Sequence, residues 1–288
     1  MATPMAADLT VVIPTRNEAK NLPRCLASLE GWVSSIVIVD SLSTDDTVAI
    51  ARQAGATVIQ HAFENYPAQW LWIFQTVPVH TQWILAIDAD HRVTPALRER
   101  ILQTLPKTAQ DLAGYYVDRQ LVFRGRLLRW GGCTRPQLKL FRTGRATCDD
   151  REAPDIHFYV DGKVEYLRTP LLEDNLNELD LQCWIAKQRS YVRVIADTEC
   201  RWLTQYRAWK LPATPFGTTD QRTLWRKQLW YRMPRFVRPC LYFFHRYIVL
   251  GGFLDGWAGL LYHSIQGFWL RWCVDMELGR RSSGRAPA

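Results

Sequence analysis

Leu9-Thr10-Val11-Val12-Ile13-Pro14 is a short, unbroken apolar run rich in β-branched residues, and the polar Thr15-Arg16-Asn17-Glu18 follows it directly. Such a run reads as a strand. Outward from it, Glu18 to Glu30 places Leu22, Cys25, Leu26 and Leu29 on one helical face. Ser35-Ile36-Val37-Ile38-Val39-Asp40 reads as a second strand, and Thr44 as the N-cap of a second helix with Asp45 and Asp46 in its first turn and Gly55 at its stop. Ala56 to Gln60 and Trp83-Ile84-Leu85-Ala86-Ile87-Asp88 are further strands, separated by an aromatic-rich segment that begins near Pro67, and a helix from Pro95 to Leu105 closes the series. Continuous apolar strands alternating with helices call for an α/β architecture, a parallel sheet covered on both faces. From Gly114 to Leu172 the texture changes to extended runs, Tyr115 to Phe123, Leu138 to Phe141 and Phe158 to Val160. A helix then follows from Leu179 to Ala196.

The 288 residues are 48% hydrophobic and 22% charged, which excludes a disordered chain and fits one large domain or two modest ones. Seven cysteines without a CxxC pair or a close Cys/His cluster indicate neither a disulfide framework nor a zinc site, and imply a reducing compartment. The N-terminal stretch lacks a basic n-region and its first apolar run is short, so no secretory signal is expected. The net charge of +8 is unevenly spread: residues 201–288 hold 14 basic and four acidic residues. Only seven of the basic residues are Lys, and 29 are Arg, the side chain suited to bidentate phosphate contacts.

In open α/β sheets ligands bind beyond the carboxyl ends of the strands. Three such ends here carry polar groups: Pro14-Thr15-Arg16-Asn17-Glu18, Asp40-Ser41-Leu42-Ser43-Thr44-Asp45 and Asp88-Ala89-Asp90. Two carboxylates two residues apart, just past a buried strand, suit a hard divalent cation that leaves room for phosphate oxygens. Such an ion offsets charge building up on a diphosphate leaving group.

These motifs resemble glycosyltransferase family 2, with its nucleotide-sugar-binding GT-A fold. The resemblance rests on residues 12–18, on Ile38-Val39-Asp40-Ser41 with Ser43, Thr44, Asp45 and Thr47, and on Asp88-Ala89-Asp90. Gly125-Arg126, Leu138-Lys139-Leu140-Phe141-Arg142, Val160-Asp161-Gly162-Lys163-Val164 and Gly251-Gly252-Phe253-Leu254-Asp255-Gly256 with Gly259 resemble the branch containing lipopolysaccharide-core glucosyltransferases. The resemblance implies a GT-A-like, parallel-rich sheet flanked by helices. It further implies a nucleotide site of Pro14, Thr15, Arg16, Glu18, Asp40, Ser41, Gln69 and Asp88, and a Mg2+ or Mn2+ ion at Asp88 and Asp90, with Asp90 the direct ligand. Two departures stand out. Gln69-Trp70-Leu71-Trp72 replaces a run that carries a cation beside the diphosphate, a role open here to Arg16, Arg119 or Arg135, and His91 follows the acid pair where an acid is frequent. Inverting transfer, also implied by the resemblance, needs a base for the acceptor hydroxyl. Asp149, Asp150, Glu152, Asp155 and His157 are the candidates, with Asp155 favoured, His157 as its partner and Glu152 as an alternative base.

Between Gln221 and Leu254 there is no acid, while Arg222, Arg226, Lys227, Arg232, Arg235, Arg238 and Arg246 alternate with aromatic residues. Such a mixture suits nucleic acid or an anionic bilayer. The adjoining apolar stretch favours the bilayer, and its longest charge-free run, 256–270, is shorter than the roughly 20 residues a spanning helix needs. The expected organisation is a glycosyltransferase domain over 8–200, divided into a nucleotide-binding half (8–105) and an acceptor-binding half (106–200), then a basic, amphipathic helical membrane-docking region over 201–288. The expected activity is sugar transfer from a nucleotide-diphosphate donor to an envelope glycan or lipid-linked acceptor, by a peripheral protein on the inner face of the bacterial cytoplasmic membrane, with no nucleic-acid partner. A polyprenyl-phosphate glycosyltransferase and a nucleic-acid-binding protein with a degenerate α/β domain are the alternatives.

Overall fold

A computed structural model describes residues 6–149, 156–204 and 212–282. They fall into two compact units, one built from 6–122, 135–149 and 157–177, the other from 123–134, 156 and the described chain from 178 on.

The first unit contains β1 (Ala7–Thr15), α1 (Leu22–Ala27), β2 (Val33–Asp40), α2 (Thr47–Gln53), β3 (Thr57–Gln60), α3 (Tyr66–Thr76), β4 (Trp83–Ala86), β5 (His91–Val93), α4 (Pro95–Thr104) and β6 (Leu112–Phe123). After β7 (Arg126–Leu127), which lies in the second unit, it continues with β8 (Arg135–Arg142), β9 (Ala146–Cys148), β10 (Phe158–Val160) and β11 (Lys163–Asp174). Its main sheet runs in the order β3-β2-β1-β4-β8-β6-β11-β5, with β9 and β10 as a separate pair.

The β3-β2-β1-β4 side is parallel, as expected for strands separated by helices. Beyond it the sheet is mixed: β8 is antiparallel to both β4 and β6, β11 is parallel to β6, and β5 is antiparallel to β11. The change of direction has a simple cause. No helix separates β6 from β8, so no crossover returns the chain in parallel.

Leu9, Val11 and Ile13 pack with Ile38, Leu85, Leu22, Leu26, Leu97 and Ile101 in one buried cluster, while Val12, Val37 and Val39 are buried as well. Both faces of β1 are therefore covered, which is why its sequence shows a run and not an alternation. Each such side chain contributes about 1.5–3 kcal/mol on burial. Register then levels the strand ends, with Thr15 beside Asp40 and Val12 beside Ala86.

Two helix boundaries differ from expectation. The first helix covers Leu22–Ala27 and not 18–30, because the buried Asn21 side chain is engaged by Glu18, Asn175 and Leu176. Thr44 does not cap α2, which starts at Thr47 after Asp46. The Thr44 N–H and hydroxyl instead both donate to Asn17 Oδ1, at 2.8 and 3.3 Å.

The second unit is helical, with α5 (Leu181–Thr204), α6 (Thr219–Arg232), α7 (Val237–Phe244), α8 (Gly256–Tyr262) and α9 (Leu270–Ser282). Ala196 of α5 is buried against Val274 and Leu278 of α9. The buried Arg238 bonds Glu199 at 2.6 Å and Asp275 at 2.8 Å, and Arg246, also buried, donates to the Gly131 carbonyl at 2.6 Å. Both were counted above among cations available to a bilayer. Both are internal, since a guanidinium enters an interior only when its donors are matched. Among the described residues no single helix is long and apolar enough to cross a membrane. Val237–Val249 and Gly252–Ser282 reach that length and composition only together, bent by 69°.

Candidate active site

The loops after β1 and β2 are tied to each other. Asn17 N–H donates to Ser43 Oγ at 2.9 Å, Glu18 N–H to Thr47 Oγ1 at 2.8 Å, Ala19 N–H to Asp45 Oδ2 at 3.1 Å and Ser41 N–H to the Thr15 carbonyl at 2.8 Å. Asp40, fully buried, anchors this lattice. Its Oδ1 accepts from Thr15 Oγ1 at 3.1 Å and its Oδ2 from Ser43 N–H at 2.9 Å. Thr15 and Ser41 are buried beside it, Pro14 and Glu18 are half-buried and Arg16 is exposed. Gln69 on α3 is buried, its Oε1 2.9 Å from the His61 ring and its Nε2 without a hydrogen-bond partner among the described residues. The His61 ring itself stacks on Trp72, with centroids 3.9 Å apart.

Past β4 the chain turns through Asp88-Ala89-Asp90, and His91 N–H closes the turn on the Asp88 carbonyl at 3.0 Å. Ligand atoms of Asp88, Asp90 and His91 all lie within 4.8 Å of one another. Lys139 of β8 places Nζ 3.3 Å from Asp88 Oδ2, and Tyr66 donates to Asp88 Oδ1 at 3.4 Å. His91 Nδ1 accepts the Asp88 N–H at 2.9 Å, leaving Nε2 3.7 Å from Glu173 Oε2 of β11; Arg119 of β6 pairs with the same carboxylate. Asn175 donates to Asp90 Oδ2 at 3.1 Å, and Asn21 links Asn175 to Glu18.

Charge in this cluster is uneven. Burial opposes ionisation of Asp88, but the Lys139 ammonium and His91 outweigh it and hold its carboxyl below the ordinary range. Glu173, likewise buried, is held well down by Arg119 and His91. Asp90 is pushed up to about 7 by burial, with the Glu173, Asp88 and Glu18 carboxylates adding to the rise and His91 opposing it. Cys25, which donates to the Asp88 carbonyl at 3.8 Å, is a thiol kept protonated by burial and the same acids.

These residues fit a hard divalent cation. Asp90 and Asp88 supply carboxylate oxygens, and the acid excess around Asp90 is the kind of charge such an ion offsets. The His91 nitrogens are already engaged by the Asp88 N–H and Glu173, so His91 orients the turn.

The structure therefore brings Thr15, Glu18, Asp40, Ser41, Asp88 and Asp90 to one sheet edge. Glu152 and Asp155 lie outside the described residues; His157 is half-buried just before β10, and Asp149 is buried. Of the cations considered for the diphosphate, Arg119 is committed to Glu173. Lys139, to which sequence reasoning gave no role, stands at the acid pair instead. Its signal was a lone lysine inside the apolar strand Leu138-Lys139-Leu140-Phe141. Glu173, Asn21 and Asn175 were also missed.

Acids and hydroxyls converge beyond the strand ends, where α/β sheets bind their ligands. Residues 10–171 match the model of glycosyl transferase family 2, and the chain belongs to that family. It is 30% identical to the lipopolysaccharide core biosynthesis glycosyltransferase LpsC of Rhizobium meliloti over 72% of this chain and 77% of that one. It is 36% identical to an uncharacterized glycosyltransferase of Rickettsia felis over 42% of this chain, a match that spans about two fifths (39%) of the relative's length. Among solved structures, the mannosyltransferase PcManGT from Pyrobaculum calidifontis, in complex with GDP-Man and Mn2+, aligns over 99% of this chain and 77% of that chain, with 11% identity and a TM-score of 0.46.

Proposed function

We propose that this glycosyltransferase moves a sugar from a nucleotide-diphosphate donor, bound at the β1-β2-β4 edge, to an envelope glycan or lipid-linked acceptor at the inner face of the cytoplasmic membrane. The observation that carries the donor half is the Asp88-Asp90 pair, standing at the level edge that also holds Thr15 and Asp40. Pro14, Thr15, Arg16, Glu18, Asp40, Ser41 and Gln69 form the nucleoside side of the site, and Asp88 the diphosphate side. Asp90 and Asp88 hold Mg2+ or Mn2+, which when bound stabilises negative charge on the departing diphosphate. Lys139 adds a fixed positive charge beside the same group. The relative named for lipopolysaccharide core biosynthesis supports the envelope acceptor.

Transfer with inversion requires the acceptor hydroxyl to lose its proton as it attacks the anomeric carbon. Asp155 takes that proton, with His157 orienting it and Glu152 as the alternative base. Asp155→Asn preserves shape but leaves a neutral amide too weakly basic to take the proton, so transfer drops by roughly 100-fold or more while donor binding persists. Release of nucleotide diphosphate in the presence of envelope glycan, followed for wild type and variant with several nucleotide sugars, tests this. Undiminished turnover by Asp155→Asn overturns the assignment of the base.

A further inference from the structure

Val237, Leu241, Phe244 and Ile248 recur at helical spacing along α7 and the π-helical turn His245–Val249 that extends it, and all four are exposed. Arg238, Pro239 and Arg246 of the same segment are buried. The segment thus turns its guanidinium groups inward and its apolar stripe outward, the reverse of an ordinary surface helix. The chain then reverses at Gly251, whose φ of +71° suits glycine, and presents an apex in which Val249 is 61%, Leu254 56% and Trp257 71% exposed. The apex is tightly built: a Cβ on Gly259 would meet the Gly252 carbonyl oxygen at 2.2 Å, so only glycine lets α8 close against the turn. A continuous apolar surface held in one shape marks an interaction site.

Beside the apex lies a cavity of about 490 Å³ whose lining includes Arg126, Arg129, Trp130, Leu254 and Asp255. The Asp255 carboxylate accepts the backbone N–H groups of Arg129 and Trp130 at 3.1 and 3.0 Å. The Arg126 and Arg129 side chains are exposed and form no ion pair among the described residues. Arg232 and Arg235 stand exposed at the start of the apolar stripe, and no acid occurs between 221 and 254.

We propose that this face of the second unit docks on an anionic bilayer: the α7 stripe and the Val249–Trp257 apex enter the acyl boundary, and Arg126 and Arg129 bind lipid phosphate beside them. Charge selects the occupant. An apolar ridge bordered by unpaired guanidinium groups, whose one acid, Asp255, is engaged by the Arg129 and Trp130 backbone N–H groups, complements a negative plane with an apolar interior. The 69° bend between two segments, neither both long and apolar enough to span alone, suits a wedge lying in the interface. The cations that serve here are not all those of the basic segment. Arg238 and Arg246 are spent inside the fold, and Arg126 and Arg129 arrive from the chain before β8. The inference rests on the proposed membrane site of action and is independent of donor chemistry.

The test is co-sedimentation of the full chain with neutral phosphatidylcholine vesicles and with vesicles containing about 30% phosphatidylglycerol, at low and physiological salt. Wild type binds the anionic vesicles preferentially and keeps a salt-resistant part. Combining Phe253→Ser, Leu254→Ser and Trp257→Ser removes that part, weakening binding about 100-fold. Arg126→Gln with Arg129→Gln weakens binding to anionic vesicles roughly 20-fold at low salt and leaves binding to neutral vesicles unchanged. All five positions lie on the surface, so circular dichroism and nucleotide-diphosphate binding stay as in wild type. Vesicle binding that survives both sets of substitutions overturns the proposal. So does an apex variant that dissolves a dimer in sedimentation velocity and leaves vesicle binding intact, because the occupant is then a second copy. Retention of single-stranded DNA at the cost of vesicle binding overturns it too. If wild type fails to bind any nucleotide diphosphate yet docks as described, the catalytic reading falls and the docking surface stands.

Discussion

Among the described residues, Asp90 sits near Glu18, Asp88 and Glu173 with no ammonium or guanidinium group paired to it, whereas Asp88 has Lys139 and Glu173 has Arg119. That difference is the reason for proposing Asp90 as the ligand of the cation. The acid pair was legible in the sequence because it follows an unbroken apolar strand. Lys139, 51 positions beyond Asp88, was not, because only the pairing of β4 with β8 carries it there. Glu173 depends likewise on the register of β11 with β5, which sets it opposite His91, and on a bulge in β11 between Tyr166 and Pro170 that no local pattern announces. Leu42, in the loop after β2, has a φ of +57° and is 57% exposed, a left-handed conformation that opposes a Cβ without packing in return. Leu42→Gly relieves this at some cost in unfolded-chain entropy, for a net gain on the order of 0.5 kcal/mol. Urea unfolding monitored by fluorescence checks it, and a lowered midpoint denies the strain.

At the scale of elements, the alternation of apolar strands with helices located β1 to β4 and α4 to within a few residues, since burial on both faces leaves a run that needs no register to be seen. The same reading failed where side chains answer to distant partners, as Thr44 does to Asn17 and Asn21 to Asn175. In the second unit His263, at the start of the π-helical segment before α9, is fully buried, and neither ring nitrogen has a hydrogen-bond partner among the described residues. Burial, with the nearby Arg246 charge adding, lowers it from its ordinary 6.5 to about 4. The neutral ring is therefore the folded form. Below pH 6.5 the unfolded chain takes up a proton that the folded chain refuses, so stability present above 6.5 is lost progressively as pH falls toward 4. The full loss is about 3 kcal/mol. Thermal unfolding of wild type between pH 7 and pH 4.5, set against His263→Leu, measures it, and the wild-type midpoint drops more steeply. Parallel curves for the two proteins contradict the assignment.

At the scale of the whole molecule, the sequence separated a nucleotide-handling α/β portion from a basic aromatic end, because composition and charge change along the chain. It could not tell which arginines of that end serve the fold. Arg238 bridges Glu199 and Asp275 inside the second unit, a choice that only the packing of α5, α7 and α9 reveals. In the proposed mechanism, Asp88 and Asp90 make the sheet edge a cation-dependent site for a nucleotide-diphosphate donor. Calorimetric titration of the full chain with UDP and GDP, with and without Mn2+, and of Asp90→Asn under the same conditions, checks this. At least one nucleotide diphosphate should bind, Mn2+ should tighten binding, and Asp90→Asn should abolish the Mn2+ effect while the fold persists. Turnover should fall by roughly 100-fold to 1,000-fold in the same variant. Nucleotide binding and turnover that are indifferent to both Mn2+ and Asp90→Asn would contradict it.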